Sequence, residues 1–247
     1  MRLPAAVSKN GIFITGTDTG VGKTIVAAAL ARLIRDSGVN VAVMKPVTSG
    51  CGRVNGRLVS EDARLLAWAA GCDATDPDIT PYLLEAPIAP SEAASREGIR
   101  IDPGRIGEAY RRLADRHDFV IVEGAGGLMV PLCGGFLIAD LVKLLDLPLL
   151  VVSRPGLGTV NHTLLTCFAA RQMEIETRGI VINDYPEAPG MAEEYAPHLL
   201  GSLSGAPLLG IFHHQDAEND QAVVERITAR LKDEPTTRIL LREVGIG

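Results

Sequence analysis

From Gly11 onward, short apolar runs alternate with amphipathic segments, the pattern of βαβ units around a mainly parallel sheet. The runs predict strands over residues 12–15, 39–44, 119–122, 149–152, 179–182 and 208–212. The amphipathic segments predict helices over 23–36, 61–70, 105–116, 138–145, 159–173, 191–202 and 222–231. In the first helix Ile25, Ala28, Ala29 and Leu33 share a face, and Gly38 marks the C-terminal stop. Between Ser49 and Pro103 the periodicity weakens into Gly, Pro and Asp clusters such as CDATDPDITP and LLEAPIAP. A connector of that length in a compact domain is often a binding segment. No internal repeat or linker interrupts the pattern, so residues 1–247 read as one domain, with the ends before about residue 8 and after about residue 235 peripheral.

Composition narrows the function. A chain of 247 residues buries enough surface for a full core without metal or disulfide staples. Lys and Arg number 24 against 30 Asp and Glu, a net charge of −6, and aromatics make up 4%. No basic run or aromatic series is present to hold nucleic acid or an anionic membrane. The apolar stretch from Leu144 to Val152 is broken by Asp146 and Pro148 and falls short of the ~20 residues that span a bilayer. The first ten residues carry no apolar segment of the secretory kind, so a cytoplasmic enzyme is expected. Cys51, Cys72, Cys133 and Cys167 show no C-x-x-C spacing and read as reduced, packed thiols.

Residues Gly16-Thr17-Asp18-Thr19-Gly20-Val21-Gly22-Lys23-Thr24 follow a predicted strand and open a predicted helix, the context of a phosphate-binding P-loop. Main-chain N–H groups and the helix N-terminus would cradle phosphates, Lys23 would reach the β and γ oxygens, and Thr24 would ligate Mg²⁺. The G-x-x-x-x-G-K-T spacing asks for glycine where Thr17 stands, and here that glycine comes one residue earlier. With this loop the expected fold is α/β and P-loop NTPase-like, three layers with a mainly parallel sheet and helices on both faces.

Ligands of such sheets gather outside the carboxyl ends of the strands, so the residues just past each strand are the candidates. Lys45 follows one strand and leads to Thr48 and Ser49. Glu123 follows another and leads into Gly124-Ala125-Gly126-Gly127, a carboxylate placed to hold Mg²⁺ with glycines that admit a ligand. On spacing alone Lys45 also fits a snorkelling strand-end lysine. Asp62, in Ser60-Glu61-Asp62, fits a helix-start cap as well as a second metal carboxylate. Gly158-Thr159-Val160-Asn161 opens a helix behind a Gly-rich turn and suits a small anion. Asn183 and Asp184 end a strand, where an amide reads a base edge or simply makes a turn. His213 and His214 are adjacent, point apart and do not read as a metal pair.

Taken in order, TGTDTGVGKT, KPVTSG, SEDARLL, PYLLEAPIAPSEAA, VEGAGG, GLGTVNH, VIND and APLLG make the chain resemble the dethiobiotin synthetase family from about Ile12 to Asp220. The resemblance implies an ATP- and Mg²⁺-dependent cyclo-ligase that joins carbon dioxide to the two amines of 7,8-diaminononanoate, closing a cyclic urea. One amine would capture carbon dioxide as a carbamate whose oxygen attacks the γ-phosphorus, and the second amine would open the resulting carbamic-phosphoric anhydride. By the same resemblance Lys23 and Lys45 flank the carbamate and the transferring phosphoryl group, and Thr24, Asp62 and Glu123 share the Mg²⁺. Thr19 and Ser49 would hold the amine and carbamate end. Gly20, Val21, Gly22 and Ile25, with Glu123, Gly124, Ala125 and Gly126, would lie along the nucleotide, and Asn183 with Asp184 would meet adenine. The resemblance further implies a homodimer in which Gly158, Thr159, Val160 and Asn161 bind the substrate carboxylate from the neighbouring subunit. Two departures stand out: Gly20 replaces a glutamate found in some members, and Phe212-His213-His214 stands where many carry a proline-containing stretch beside the base.

Two other readings compete. A partitioning-type regulatory ATPase shares a deviant K-G-G-x-G-K-T loop, but its signature lysine would fall at Asp18, and no basic amphipathic tail is present. A corrinoid side-chain amidating synthetase would carry a glutamine-hydrolysing domain with a catalytic cysteine, for which there is neither length nor motif.

Overall fold

The six predicted apolar runs, rich in Val and Ile, meet in one sheet covered on both faces, as parallel strands require. The computed structural model describes residues 11–246. Its first half runs β1 (Gly11–Gly16), α1 (Lys23–Asp36), β2 (Val41–Met44), β3 (Val47–Thr48), β4 (Gly52–Val54), β5 (Arg57–Val59), α2 (Glu61–Ala70), β6 (Tyr82–Leu83), α3 (Pro90–Arg96) and α4 (Pro103–Arg116). The second half runs β7 (Phe119–Gly127), β8 (Pro131–Cys133), β9 (Phe136–Leu137), α5 (Ile138–Leu145), β10 (Leu149–Ser153), α6 (Thr159–Gln172), β11 (Thr177–Tyr185), α7 (Met191–Leu203), β12 (Leu208–His213), α8 (Asp220–Asp233) and α9 (Thr236–Val244).

The main sheet has the order β12-β11-β10-β1-β7-β2, every pair parallel. The connection through α1 leads from β1 toward the β2 edge, whereas α6 leads from β10 toward the β12 edge. Right-handed crossovers in opposite directions put these helices on opposite faces. Accordingly α1 packs with α2 and α8, while α6 packs with α7 and α4 with α5. This is the expected three-layer arrangement, and all β1, β2 and β10 residues are buried.

The first helix differs in one detail from its expected face. Residues 26–31, Leu33 and Ile34 are all buried, because α1 is enclosed by the sheet, α2 and α8, and its alanines permit close approach. Ile25 is only half-buried and borders the site described below. Gly38, at φ 91°, closes the end by donating to the Arg35 carbonyl at 2.9 Å.

The weakly periodic stretch from residue 49 to 103 contains ordered short elements. Asn55 and Gly56, both at positive φ, form the tight turn between β4 and β5, an Asn-Gly signal that the periodicity reading passed over. Glu97 accepts from the Glu85 and Ala86 amides at 2.8 and 3.0 Å, and Arg112 and Arg116 hold Asp78. The end expected to be peripheral after residue 235 is instead α9, whose Thr237, Leu240 and Val244 are buried where it packs on β11, β12 and α8. Its nine residues follow Pro235 and are too few to stand out by periodicity. The matching expectation before residue 8 lies outside the described residues. No helix among the described residues is long and apolar enough to cross a membrane.

Leu240 is 1% exposed, so Leu240→Ala should lower unfolding stability by about 2–4 kcal/mol in urea titration. A loss below about 0.5 kcal/mol, the scale of an exposed substitution, would show that α9 is not part of the core.

Candidate functional site

Several of the sequence-predicted groups converge at the carboxyl edge of the sheet. The loop from β1 to α1 has Gly20 and Gly22 at φ 78° and 84°, conformations suited to glycine. A Cβ on Gly22 would lie 2.0 Å from the Asn183 side-chain nitrogen. Gly22 caps α1 with no side-chain hydrogen bond and no acid in the first turn. The α2 and α8 helices, by contrast, start with Ser60 and Asn219 accepting from Ala63 and Ala222. The α1 N–H groups thus remain available to an anion.

A cavity of about 350 Å³ lies in front of this loop. Its wall carries Thr19, Gly20, Gly22, Lys23, Thr24, Ile25, Lys45, Ser49, Asp62, Glu123, Ala125 and Gly126. Lys45 and Glu123 are 5% and 1% exposed, so Lys45 is no snorkelling surface lysine. Its Nζ donates to Asp62 Oδ2 at 2.7 Å and to Glu123 Oε1 at close range. Thr24 Oγ1 donates to the same Glu123 oxygen at 3.0 Å. Ser60 supplies the α2 cap, which leaves Asp62 free to pair with Lys45. Glu123 does not follow a strand end as expected but sits inside β7, which runs on to Gly127.

The two lysines differ electrostatically. Burial lowers the Lys23 pKa below the ordinary lysine value; Glu123 partly offsets this, and the like charge of Lys45 lowers it further. Burial acts on Lys45 too, but Glu123 and then Asp62 outweigh it and hold its pKa above the ordinary value. Lys23 Nζ turns back to donate to the Asp18 carbonyl at 3.1 Å.

A second cavity, about 290 Å³, adjoins the first through Gly20, Gly22 and Ile25. Val21, Asn183, Asp184, His213 and His214 line it. Asn183 Nδ2 donates to the Val21 carbonyl at 3.2 Å, joining β11 to the loop. Asp184 takes φ 61° at an irregularity in the β11–β12 register. Its Oδ1 lies 2.6 Å from His214 Nδ1, and Asp216 Oδ1 lies 3.1 Å from Nε2; these hydrogen bonds raise the His214 pKa. His213 packs edge-on against Tyr185. Arg154 and Asp220 also line this cavity, and neither was assigned a role from the sequence. Arg154 was visible just past a predicted strand, whereas Asp220 is brought in by α8 from outside any strand end.

A third cavity, about 450 Å³, lies on the other side of the loop between Gly127, Leu128, Met129 and Val130 and the α6 residues His162, Leu165 and Thr166. It is the largest of the three but mostly apolar, and it shares Thr19 with the first.

Two sets of sequence-predicted residues lie away from these cavities. Gly124 is buried beneath the cavity, where a Cβ would lie 2.8 Å from the Phe13 ring, so packing and not ligand approach explains the glycine. Gly158, Thr159, Val160 and Asn161 are expected to serve a neighbouring subunit, and within their own chain they line none of the three cavities; Thr159 faces inward and Asn161 is exposed.

The donor set fits a hard divalent cation. Glu123 Oε2 is buried with no partner, and Asp62 and the Thr24 hydroxyl add oxygen donors. Among the described residues no group of three or more His, Cys, Asp or Glu could enclose a metal. A cation here would therefore complete its shell with phosphate oxygens and water, as Mg²⁺ does in nucleotide sites.

A family model described as an AAA domain matches residues 10–222. The ATP-dependent dethiobiotin synthetase BioD of Bacillus licheniformis is 39% identical over 240 residues, 96% of this chain and 98% of that protein. The protein of the same name from Bacillus subtilis strain 168 is 36% identical, over 96% and 99% of the two chains. That from Anaeromyxobacter dehalogenans is 48% identical, over 75% and 84%. Among solved structures, a ParA family ATPase from Chlorobium tepidum aligns with TM-score 0.55 and 17% identity over 97% of this chain and 100% of that one. A chain of the MinC:MinD cell division complex of Aquifex aeolicus gives TM-score 0.56 and 16% identity over 95% and 94%. At such identities these two describe the fold alone.

Gly22→Ala would place a methyl at positive φ against Asn183 and break its bond to Val21. Calorimetry should show nucleotide affinity reduced about tenfold or more, the effect of ~1.4 kcal/mol. Unchanged affinity would mean that the loop shape does not set binding.

Proposed function

The chain belongs to the ATP-dependent dethiobiotin synthetase family and is a ligase by that membership; on this premise we propose that residues 1–247 act as one ATP-binding unit that carboxylates 7,8-diaminononanoate and closes its cyclic urea. The carrying observation is the placement of Lys23, Thr24, Lys45, Asp62 and Glu123 around one cavity at the sheet edge. Lys23 and the uncapped start of α1 receive the β and γ phosphates. Thr24, Asp62 and Glu123 hold Mg²⁺, whose charge, when bound, neutralises the phosphate oxygens. The adjoining cavity takes the base beside Asn183 and Asp184.

Thr19 and Ser49 hold the amine end, with Lys45 beside it. One amine captures carbon dioxide as a carbamate, and a carbamate oxygen attacks the γ-phosphorus as ADP leaves. The second amine then attacks the carbamoyl carbon and phosphate departs, closing the ring. Lys23 and Lys45 stabilise the negative charge as it moves between carbamate and phosphoryl oxygens. No covalent bond to the protein is required, so positioning carries the rest. Because Thr19 borders the large apolar cavity, the aliphatic chain of the diamine extends along Met129 and Val130.

The assembly is read as a homodimer. Thr159, Thr163, Cys167 and Ala170 form the inward face of α6, while Leu165 and Phe168 are 57% and 51% exposed. Leu157, Met191, Tyr195 and Leu203 extend this apolar surface over the preceding turn and α7. A second copy covering it would present its Gly158–Asn161 helix start to the substrate carboxylate.

ADP release with Mg²⁺ and ATP should require both the diamine and bicarbonate. Turnover that continues when either is omitted would defeat the proposed reaction. Phe168→Asp should shift sedimentation from dimer to monomer; a monomeric parent protein, or a variant that sediments unchanged, would refute the interface.

A further inference from the structure

Lys45 stands where a metal cation belongs. Its ammonium binds Asp62 Oδ2 at 2.7 Å and also Glu123 Oε1, the two carboxylates read above as metal ligands. One of the two negative charges is thereby offset from within the chain before any nucleotide arrives. Glu123 Oε2 nevertheless remains buried without a partner, a lone-pair site that the lysine leaves unfilled.

Lysine and metal compete for Asp62 Oδ2 and Glu123 Oε1, the oxygens that the ammonium holds. A Mg²⁺–oxygen bond is about 2.0–2.1 Å and an ammonium–carboxylate bond about 2.8 Å. Two cations on one oxygen would therefore approach within roughly 4 Å, with Lys23 a third positive charge in the same cavity. Burial of Lys45 and Glu123 removes most of the water that would screen this repulsion.

We propose that Lys45 is the resident counter-cation of the Asp62–Glu123 pair, and that divalent metal enters the site only by displacing it. The claim rests on the reading of Asp62 and Glu123 as metal ligands. The released Nζ turns into the cavity that it lines with Ser49, toward the reacting end of the substrate. Metal loading and delivery of Lys45 are then one event. The bare protein resists metal, and nucleotide phosphates supply the partners that tip the exchange.

Mn²⁺ serves as the probe, its free concentration read from its electron paramagnetic resonance signal. The parent protein, Lys45→Gln and Asp62→Asn are each titrated with and without a non-hydrolysable ATP analogue. Lys45→Gln should bind Mn²⁺ without nucleotide at least about tenfold more tightly than the parent, because the competing cation is gone. The analogue should strengthen Mn²⁺ binding more in the parent than in Lys45→Gln. Equal or weaker nucleotide-free binding by a Lys45→Gln protein that melts cooperatively overturns the proposal. Parent protein whose Mn²⁺ affinity ignores the analogue overturns it as well, independently of how the variant folds. Asp62→Asn should weaken Mn²⁺ binding in the presence of the analogue. If it does not, the ligand reading of Asp62 fails, a result distinct from failure of the exchange.

Discussion

The ion pair between Lys45 and Glu123 constrains everything near the sheet edge. Met44 lies opposite Val122 in the β2–β7 ladder, so the next residues on the two strands are necessarily neighbours. Neither residue is more than 5% exposed, and an unpaired charge at that depth would cost several kcal/mol. Breaking such a pair by removing one member typically costs about 3–5 kcal/mol, so a register in which Lys45 and Glu123 missed each other would be heavily penalised. The same requirement draws in α2, whose second residue, Asp62, completes the coordination of the ammonium. A buried lysine with two carboxylates remains charged, whereas Lys23, with only a carbonyl as hydrogen-bond partner, has its pKa pulled down by burial. Two lysines in one cavity are thus given different properties by their neighbours alone.

Around that pair, the parallel sheet supplies rigidity and the helix starts supply unsatisfied donors. Strands buried along their length cannot slide without moving apolar side chains out of register. The groups at their carboxyl ends are therefore fixed relative to one another. The start of α1 gives up the stabilisation of about 1 kcal/mol that a side-chain cap provides. That cost is consistent with N–H groups reserved for phosphate. Asn183 then ties the loop to β11 through the Val21 carbonyl, coupling the walls of the two adjoining cavities.

Much of this was legible in the chain. Helices α1, α2 and α5 begin and end where the periodicity places them, because each combines a clear apolar face with a recognisable start or stop. Lys45 was identifiable from a rule about strand ends, and the same rule picked out Glu123 although β7 runs four residues past it. Their direct contact was not, since register is set by pairing between segments more than seventy residues apart. Gly124 shows the converse error: a glycine beside an acid resembles a ligand approach, yet the neighbour that excludes a Cβ is Phe13, distant in sequence. Asp220 reaches the site because α8 packs on α1, a tertiary fact with no local signature. The α9 helix and the β4–β5 hairpin were missed for a different reason. Both are short, so their signals are capping and turn chemistry, not periodicity.

The likeness to ParA and MinD chains locates what is general in this molecule and what is particular. A sheet order and a phosphate loop can be shared at 16–17% identity, so they do not distinguish a ligase from a partitioning ATPase. The distinction lies in groups outside the loop. A partitioning ATPase would carry a lysine at position 18, where this chain has Asp18, whose carbonyl accepts from Lys23. The chain instead carries a buried lysine one step beyond β2, held by carboxylates from β7 and α2. Under the proposed reaction the site must manage two anions, a carbamate and a phosphoryl group, with no covalent link to the protein. A second positive charge beside Lys23 is what that task demands, and the β2–β7 register supplies it.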